Sequence, residues 1–220
     1  MKGVLDRKYA IARQTKRSHI YRLKRRTCEV LKGIKIFHPE KPGSILDIGT
    51  ADGLMLRNVK DTFPKTTCVG IEYARDLMVC CESKTIHVIQ GDAMTLPIKD
   101  NSFDVVIATA IIEHVSEPIQ LIREAFRVLR KNGIFVVTTP HPFWEWVATH
   151  IGHLKEEEHH ELITLRKLKS LFNAVGFEIA NAQKFMISPV GMPFELTLEK
   201  ILKFFRLNFL LLNQIIVGRK

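Results

Sequence analysis

Hydrophobic residues along this chain fall into short runs separated by glycine, proline and charge, and the spacing within each run indicates what it forms. Five runs are brief and rich in β-branched residues, at 44–48, 66–71, 85–90, 103–108 and 134–139. Each reads as a buried strand. Elsewhere apolar residues return every three or four positions, the mark of amphipathic helices. Ile20, Leu23, Thr27, Leu31 and Ile34 place a helix over 18–37, and further helices fit 54–59 and 74–82. Another starts at Ser116-Glu117-Pro118, with a capping serine and an early proline, and carries Leu121, Ile122, Ala125, Phe126, Val128 and Leu129 toward Gly133 as its stop.

Past Pro140 the pattern changes. Residues 141–160 read as an irregular, histidine-rich connection holding Trp144 and Trp146. Thr164 then caps a helix with Leu165, Leu168, Leu171, Phe172 and Val175 inward and Gly176 as its stop. Strands follow at 177–187 and 213–217. The stretch between them, 193–212, is an apolar addition in which Phe194, Leu198, Ile201, Leu202 and Phe205 share one helical face. Lys203 and Arg206 interrupt it before an uncharged run of about 18 residues builds up, so it is not a transmembrane span. It suits a core helix, a lid over an apolar acceptor, or an interfacial helix in peripheral membrane contact.

Composition matters mainly through charge. A 220-residue chain that is 46% hydrophobic and 25% charged fits one globular domain over 1–220. Its net charge of +10 lies wholly within residues 1–41, where thirteen Lys and Arg face three acids, and the remainder is neutral. The plain reading is a solvated basic helical cap over 1–43. The sharper one is a surface for RNA, anionic lipid or a phosphorylated substrate. Stacking aromatics are few there, Tyr9, Tyr21 and Phe37, which weakens the case for nucleic acid. Cys28, Cys68, Cys80 and Cys81 form no CxxC pair, so neither a zinc site nor a disulfide framework is indicated, and a reducing cytoplasm fits. The N-terminus lacks the apolar core of a secretory signal, although its Arg-rich, acid-poor start can mimic a mitochondrial transit peptide.

The chemistry centres on Ile45 to Gly53, ILDIGTADG, a strand running into a turn and then a helix. Gly49, Ala51 and Gly53 let the backbone curl tightly, and the helix start points free N–H groups at a ligand. A nucleotide-like ligand is expected. The dinucleotide pattern Gly-x-Gly-x-x-Gly is not met, because Ala51 and Leu54 replace glycines, and Asp47 would repel a pyrophosphate but suits a cation. Glu72 falls 23 residues after Gly49, where a second strand delivers an acid to ribose hydroxyls.

These blocks, with GDAMTLPIKDNSFDVVIATAIIEHV over 91–115 and REAFRVLRKNGIFVVTTP over 123–140, resemble the class I S-adenosylmethionine (SAM)-dependent methyltransferases of small-molecule type. The resemblance runs from about Ser44 to Pro140. It implies an α/β Rossmann-like fold, a seven-stranded mostly parallel sheet with an antiparallel last strand and helices on both faces. It also implies S-adenosyl-L-methionine as cofactor, held by Asp47, Gly49, Thr50, Ala51, Gly53, Glu72, Tyr73, Asp92, Ala93, Thr109 and Ala110. Asp92 matches the family residue that contacts the adenine amino group. Residues 44–140 would then be the SAM-binding core and 141–220 the acceptor side.

Methyl transfer from a sulfonium needs no nucleophilic side chain, since a dry pocket that aligns the reactants supplies most of the effect. A hydroxyl or weak amine acceptor gains from a general base, and His114, His141 and His160 are the candidates. The cluster His150, His153, Glu156, Glu157, Glu158, His159 and His160 has no metal-ligand spacing, so no metal is expected. The expected activity is methylation of a small, hydrophobic molecule at oxygen or carbon, in the cytoplasm or at a membrane periphery. Alternatives are an RNA methyltransferase, disfavoured because Thr109-Ala110-Ile111-Ile112 replaces an Asn/Asp-Pro-Pro-aromatic tetrad, and a silent SAM-binding scaffold subunit. An NAD-dependent oxidoreductase is disfavoured by the loop and by Asp47.

Overall fold

A computed structural model describes residues 7–81, 84–150 and 162–220, and centres on one seven-stranded sheet. Two helices precede it, α1 (Arg7–Thr15) and α2 (Arg17–Phe37). There follow β1 (Ser44–Ile48), α3 (Leu54–Thr62), β2 (Thr67–Glu72), α4 (Arg75–Val79), β3 (His87–Gln90) and β4 (Phe103–Thr109). The second half holds α5 (Pro118–Val128), β5 (Leu129–Pro140), α6 (Pro142–His150), α7 (Leu165–Val175), β6 (Glu178–Phe185), α8 (Glu195–Phe204), a 3-10 turn (Asn208–Leu210) and β7 (Asn213–Arg219). The strand order is β3-β2-β1-β4-β5-β7-β6, parallel except for β7, which runs antiparallel to both of its neighbours. This is the α/β architecture that the sequence implies.

Alternate residues of each central strand enter two separate cores. Leu46, Val106, Ala108, Phe135 and Val137 pack with Leu121, Ile122 and Ala125 of α5 and with Leu168 and Phe172 of α7. Ile45, Val105, Ile107, Ile134 and Val136 pack instead with Val30 and Ile34 of α2 and with Met55, Leu56 and Val59 of α3. Burial on both faces is why these strands read as mostly apolar runs.

Helix α2 therefore lies on a sheet face rather than capping one end. Its buried residues are Arg25, Thr27, Glu29, Val30, Gly33 and Ile34, whereas Ile20 of the expected stripe is exposed. Helix α5 departs from expectation at both ends. Glu117, not Ser116, is its N-cap, and the Ser116 hydroxyl turns toward Met94 Sδ, 3.4 Å away. The helix ends at Val128 because Leu129 already pairs with Phe103 in β5. Gly133 thus stands within a strand, where a Cβ would meet the carbonyl oxygens of Arg130 and Asp104 at 2.9 Å.

Helix α1 is a separate helix within the region read as a basic helical cap, and α6 replaces the first half of the expected irregular connection. Residues 151–161, including His160 and most of the His/Glu cluster, lie outside the described residues. Among the described residues no group of three or more His, Cys, Asp or Glu could hold a metal, and no helix is long and apolar enough to cross a membrane.

Candidate cofactor and acceptor site

Strand order reverses at β1, whose neighbours β2 and β4 lead to opposite edges, so a crevice opens at their carboxyl ends. The turn leaving β1 crosses this crevice. Gly49 (φ 73°) and Gly53 (φ 73°) take the left-handed conformation, and Ala51 (φ 52°) joins them. The N–H groups of Gly49 and Thr50 both donate to Ile71 O, at 2.8 and 3.0 Å, tying the turn to β2. The glycines make room for protein at least as much as for ligand. A Cβ on Gly49 would sit 2.3 Å from Ile111 Cδ1, and one on Gly53 would sit 2.5 Å from Cys81 Sγ.

Glu72 ends β2 as the spacing predicts, with its carboxylate already engaged. One oxygen accepts from Ala51 N–H at 2.8 Å and the other from Ala74 N–H at 2.9 Å. The acid is buried and braces the turn, and each oxygen retains a second lone pair for a ribose hydroxyl. Tyr73 follows it, partly exposed, with its carbonyl accepting from Gln90 Nε2 at 3.2 Å. Beyond β3, Asp92 Oδ1 accepts from Met94 N–H at 2.8 Å, and Ala93 is buried beside it.

Asp47 sits at the base of the turn with 1% of its surface exposed. Among the described residues neither of its oxygens is matched by a hydrogen bond, nor is the buried Thr50 hydroxyl. Burial pushes the carboxyl up to about 7, against the pull of the neighbouring Thr50 hydroxyl and of the Arg13 charge, with the Glu72 charge adding to the rise. A buried anion with no well-formed hydrogen bond is costly, and a cationic group entering the crevice would relieve that cost. This donor-poor carboxylate, with the Glu72 acid nearby, fits a ligand that carries an ammonium and a ribose.

Residues that the sequence did not single out complete this end. Arg13 of α1 pairs with fully buried Asp52 of the turn at 3.0 Å, and Ala10 packs with Ala51, Ala74 and Leu77. Helix α1 therefore lies on the turn itself. Part of the basic N-terminus is consequently engaged inside the fold. Arg25 pairs with Glu29 at 3.2 Å and Glu199 at 2.7 Å, and Arg26 donates to Asn213 Oδ1 at 3.1 Å.

On the other side of the crevice, Thr109 and Ala110 end β4, and Ala110 (φ 52°) donates to Thr138 O at 2.8 Å. Glu113 and His114 lie in the turn that follows. Glu113 is 1% exposed and accepts from the Thr139 hydroxyl at 3.0 Å, and burial pushes it up to about 7 against the charge of Arg26. The sequence reading passed over this acid for its neighbour, half-buried His114. His141 takes a different role from the one expected. Its Nε2 lies 2.6 Å from Lys184 Nζ, and burial together with that ammonium holds the imidazole down at about 4. The imidazole is held neutral with Nε2 against the lysine.

A family profile described as a methyltransferase domain matches residues 20–182. A probable S-adenosylmethionine-dependent methyltransferase of Mycolicibacterium smegmatis is 30% identical over 137 residues, 61% of this chain and 52% of that protein. The demethylmenaquinone methyltransferase of Staphylococcus carnosus is 26% identical over 185 residues, 71% of this chain and 75% of that protein. A solved SAM dependent methyltransferase from Archaeoglobus fulgidus shares the fold with a TM-score of 0.70 at 17% identity, covering 98% of this chain and 100% of its own. The chain spans about half the length, or less, of several curated relatives that it matches. With the profile covering most of the sequence and the crevice built as described, the chain belongs to the class I SAM-dependent methyltransferase family.

Proposed function

We propose that this protein transfers a methyl group from S-adenosyl-L-methionine to oxygen or carbon of a small, apolar molecule. The observation that carries the donor assignment is the buried, unmatched carboxylate of Asp47 beneath the Gly49–Gly53 turn. Bound there, SAM would supply an electrophilic methyl on a sulfonium. Asp47 would face its ammonium, Glu72 its ribose and Asp92 its adenine, with Thr109 and Ala110 along the wall.

The acceptor would approach between the turn after β4 and the end of β5. Glu113 and His114 stand there, and Glu113, pushed up to about 7 by burial, would hold an acceptor proton near neutral pH. An apolar acceptor is supported by the aromatic residues Phe143, Trp144 and Trp146, which follow β5 directly. Demethylmenaquinone, the acceptor in the name of the Staphylococcus relative, is consistent in class.

Calorimetric titration with SAM, with S-adenosylhomocysteine and with NAD tests the donor. Micromolar binding of the first two without the third is expected. NAD binding in competition with SAM would overturn the assignment. Turnover is then read with radiolabelled SAM over a panel of lipophilic hydroxyl and carbon acceptors.

A further inference from the structure

Helix α8 is built with its polar side down. Its two acids, Glu195 and Glu199, are buried, whereas Phe194 is 85% exposed, Phe204 82% and Phe205 65%. Glu199 accepts from Arg25 at 2.7 Å, from Met186 N–H at 3.0 Å and from Lys203 at 2.7 Å. Glu195 accepts from the Tyr21 hydroxyl and, at 2.9 Å, from Ile187 N–H. These bonds latch the helix onto α2 and the end of β6. Turning it to bury its rings would break them all.

The exposed apolar surface extends beyond the helix. Phe209 projects from the 3-10 turn, and Trp144 Nε1 donates to Phe209 O at 2.7 Å, joining that turn to α6. There Phe143 and Trp146 are each about half exposed. On the other side, Val190 and Met192 border a groove of about 580 Å³ shared with Arg17, Ile20 and Lys24 of α2.

Charge selects the occupant. Residues 187–212 contain two acids, both turned inward, while Lys200 and Arg206 face outward. The outward surface of this segment is thus apolar and basic, the combination that an anionic bilayer accepts. A second copy of the chain would set these cations against their own kind. We propose that α8 lies in the plane of an anionic lipid surface, its phenylalanines entering the acyl boundary and Arg17, Lys24, Lys200 and Arg206 meeting lipid phosphates. The surface adjoins α6, which leaves β5 at the acceptor end, so docking would bring the acceptor side to the membrane. The inference goes beyond the methyl-transfer reading and does not depend on it.

Co-sedimentation of the full chain with vesicles tests it, using phosphatidylcholine alone and phosphatidylcholine mixed with phosphatidylglycerol. Binding to the mixed vesicles, weakened by salt, is expected. The triple variant Phe194→Ser, Phe204→Ser, Phe205→Ser should lower that partitioning about tenfold or more. Because these rings are solvent-exposed, its melting temperature and SAM affinity should match the parent protein. Lys200→Glu with Arg206→Glu should lose binding to the mixed vesicles selectively. Four results overturn the proposal: no sedimentation of the parent protein with mixed vesicles, equal sedimentation of the triple variant, a dimer that the triple variant dissociates, or RNA retention that it abolishes. Vesicle binding without SAM binding would leave this inference standing and remove the methyl-transfer reading.

Discussion

Asp47→Asn separates the cost of the buried carboxylate from its use. The side chain keeps its shape and loses its charge, in a place where neither oxygen is matched and 1% of the residue is exposed. Burial raises the carboxyl from 3.8 to about 7, a gap worth about 4 kcal/mol as an upper figure and about 2 kcal/mol after relaxation and water entry. The sign follows from proton linkage. An acid whose folded pKa lies above its unfolded value holds its proton longer in the folded state, so stability falls as pH rises from about 4 to about 7. In ligand-free protein Asp47→Asn should therefore unfold at a higher urea midpoint than the parent at about pH 8, with the advantage shrinking toward about pH 4. SAM affinity should move the other way. The parent binds more tightly as pH rises through about 7 and Asp47 ionises, whereas the variant binds weakly with a flatter dependence. A variant that is less stable than the parent at about pH 8, or that binds SAM equally well, would refute the reasoning.

Gly53→Ala should lower stability by about 1–3 kcal/mol and weaken SAM binding, because φ is 73° and the new Cβ would press on Cys81 and Ile86; thermal melts with and without SAM check both. Glu72→Gln presents an amide N–H₂ to one of two backbone donors, so the turn should loosen by about 1–3 kcal/mol and SAM affinity should fall; an unchanged dissociation constant counts against the ribose role. His114→Ala and Glu113→Gln, compared in labelled-SAM turnover with the true acceptor, should both retain SAM affinity, and the one whose pH–rate profile loses its acid limb identifies the proton-holding group.

The strands and turns from β1 to β4 were readable in the sequence because their rules are local. Strands β1 and β4 are buried on both faces, so they appear as mostly apolar runs broken only by Asp47 and Asp104, and their ends fell within a residue of expectation. The turn, the Glu72 spacing and Asp92 all lie within a few residues of those strand ends. What the sequence could not convey were partners far apart in the chain. Arg13 reaches Asp52 from a helix that looked like solvated basic residues, and Lys184 reaches His141 from across the sheet edge. A histidine near its free pKa suits a base, but 2.6 Å from an ammonium it is held neutral, and periodicity carries no trace of that contact. Likewise β5 took Leu129 from α5 because Phe103 was available to pair with it.

Helix α8 shows the same limit most sharply. Hydrophobic periodicity alone would turn Phe194, Leu198, Ile201, Leu202 and Phe205 toward the protein and leave Glu195 and Glu199 in water. The structure exposes Phe194, Ile201 and Phe205, half-buries Leu198 and Leu202 and buries the acids, because the surface offered to α8 is polar: the guanidinium of Arg25, the Tyr21 hydroxyl and the N–H groups of Met186 and Ile187 beyond β6. A buried donor left unmatched costs about 1–3 kcal/mol, more when charged, while rings left exposed merely forgo a gain of about 1.5–3 kcal/mol each. Contact of the rings with lipid would add the missing apolar gain without breaking a single bond of the latch. On the proposed reading, the polar face of α8 makes its contacts inside the protein while Phe194, Phe204 and Phe205 find theirs in the lipid.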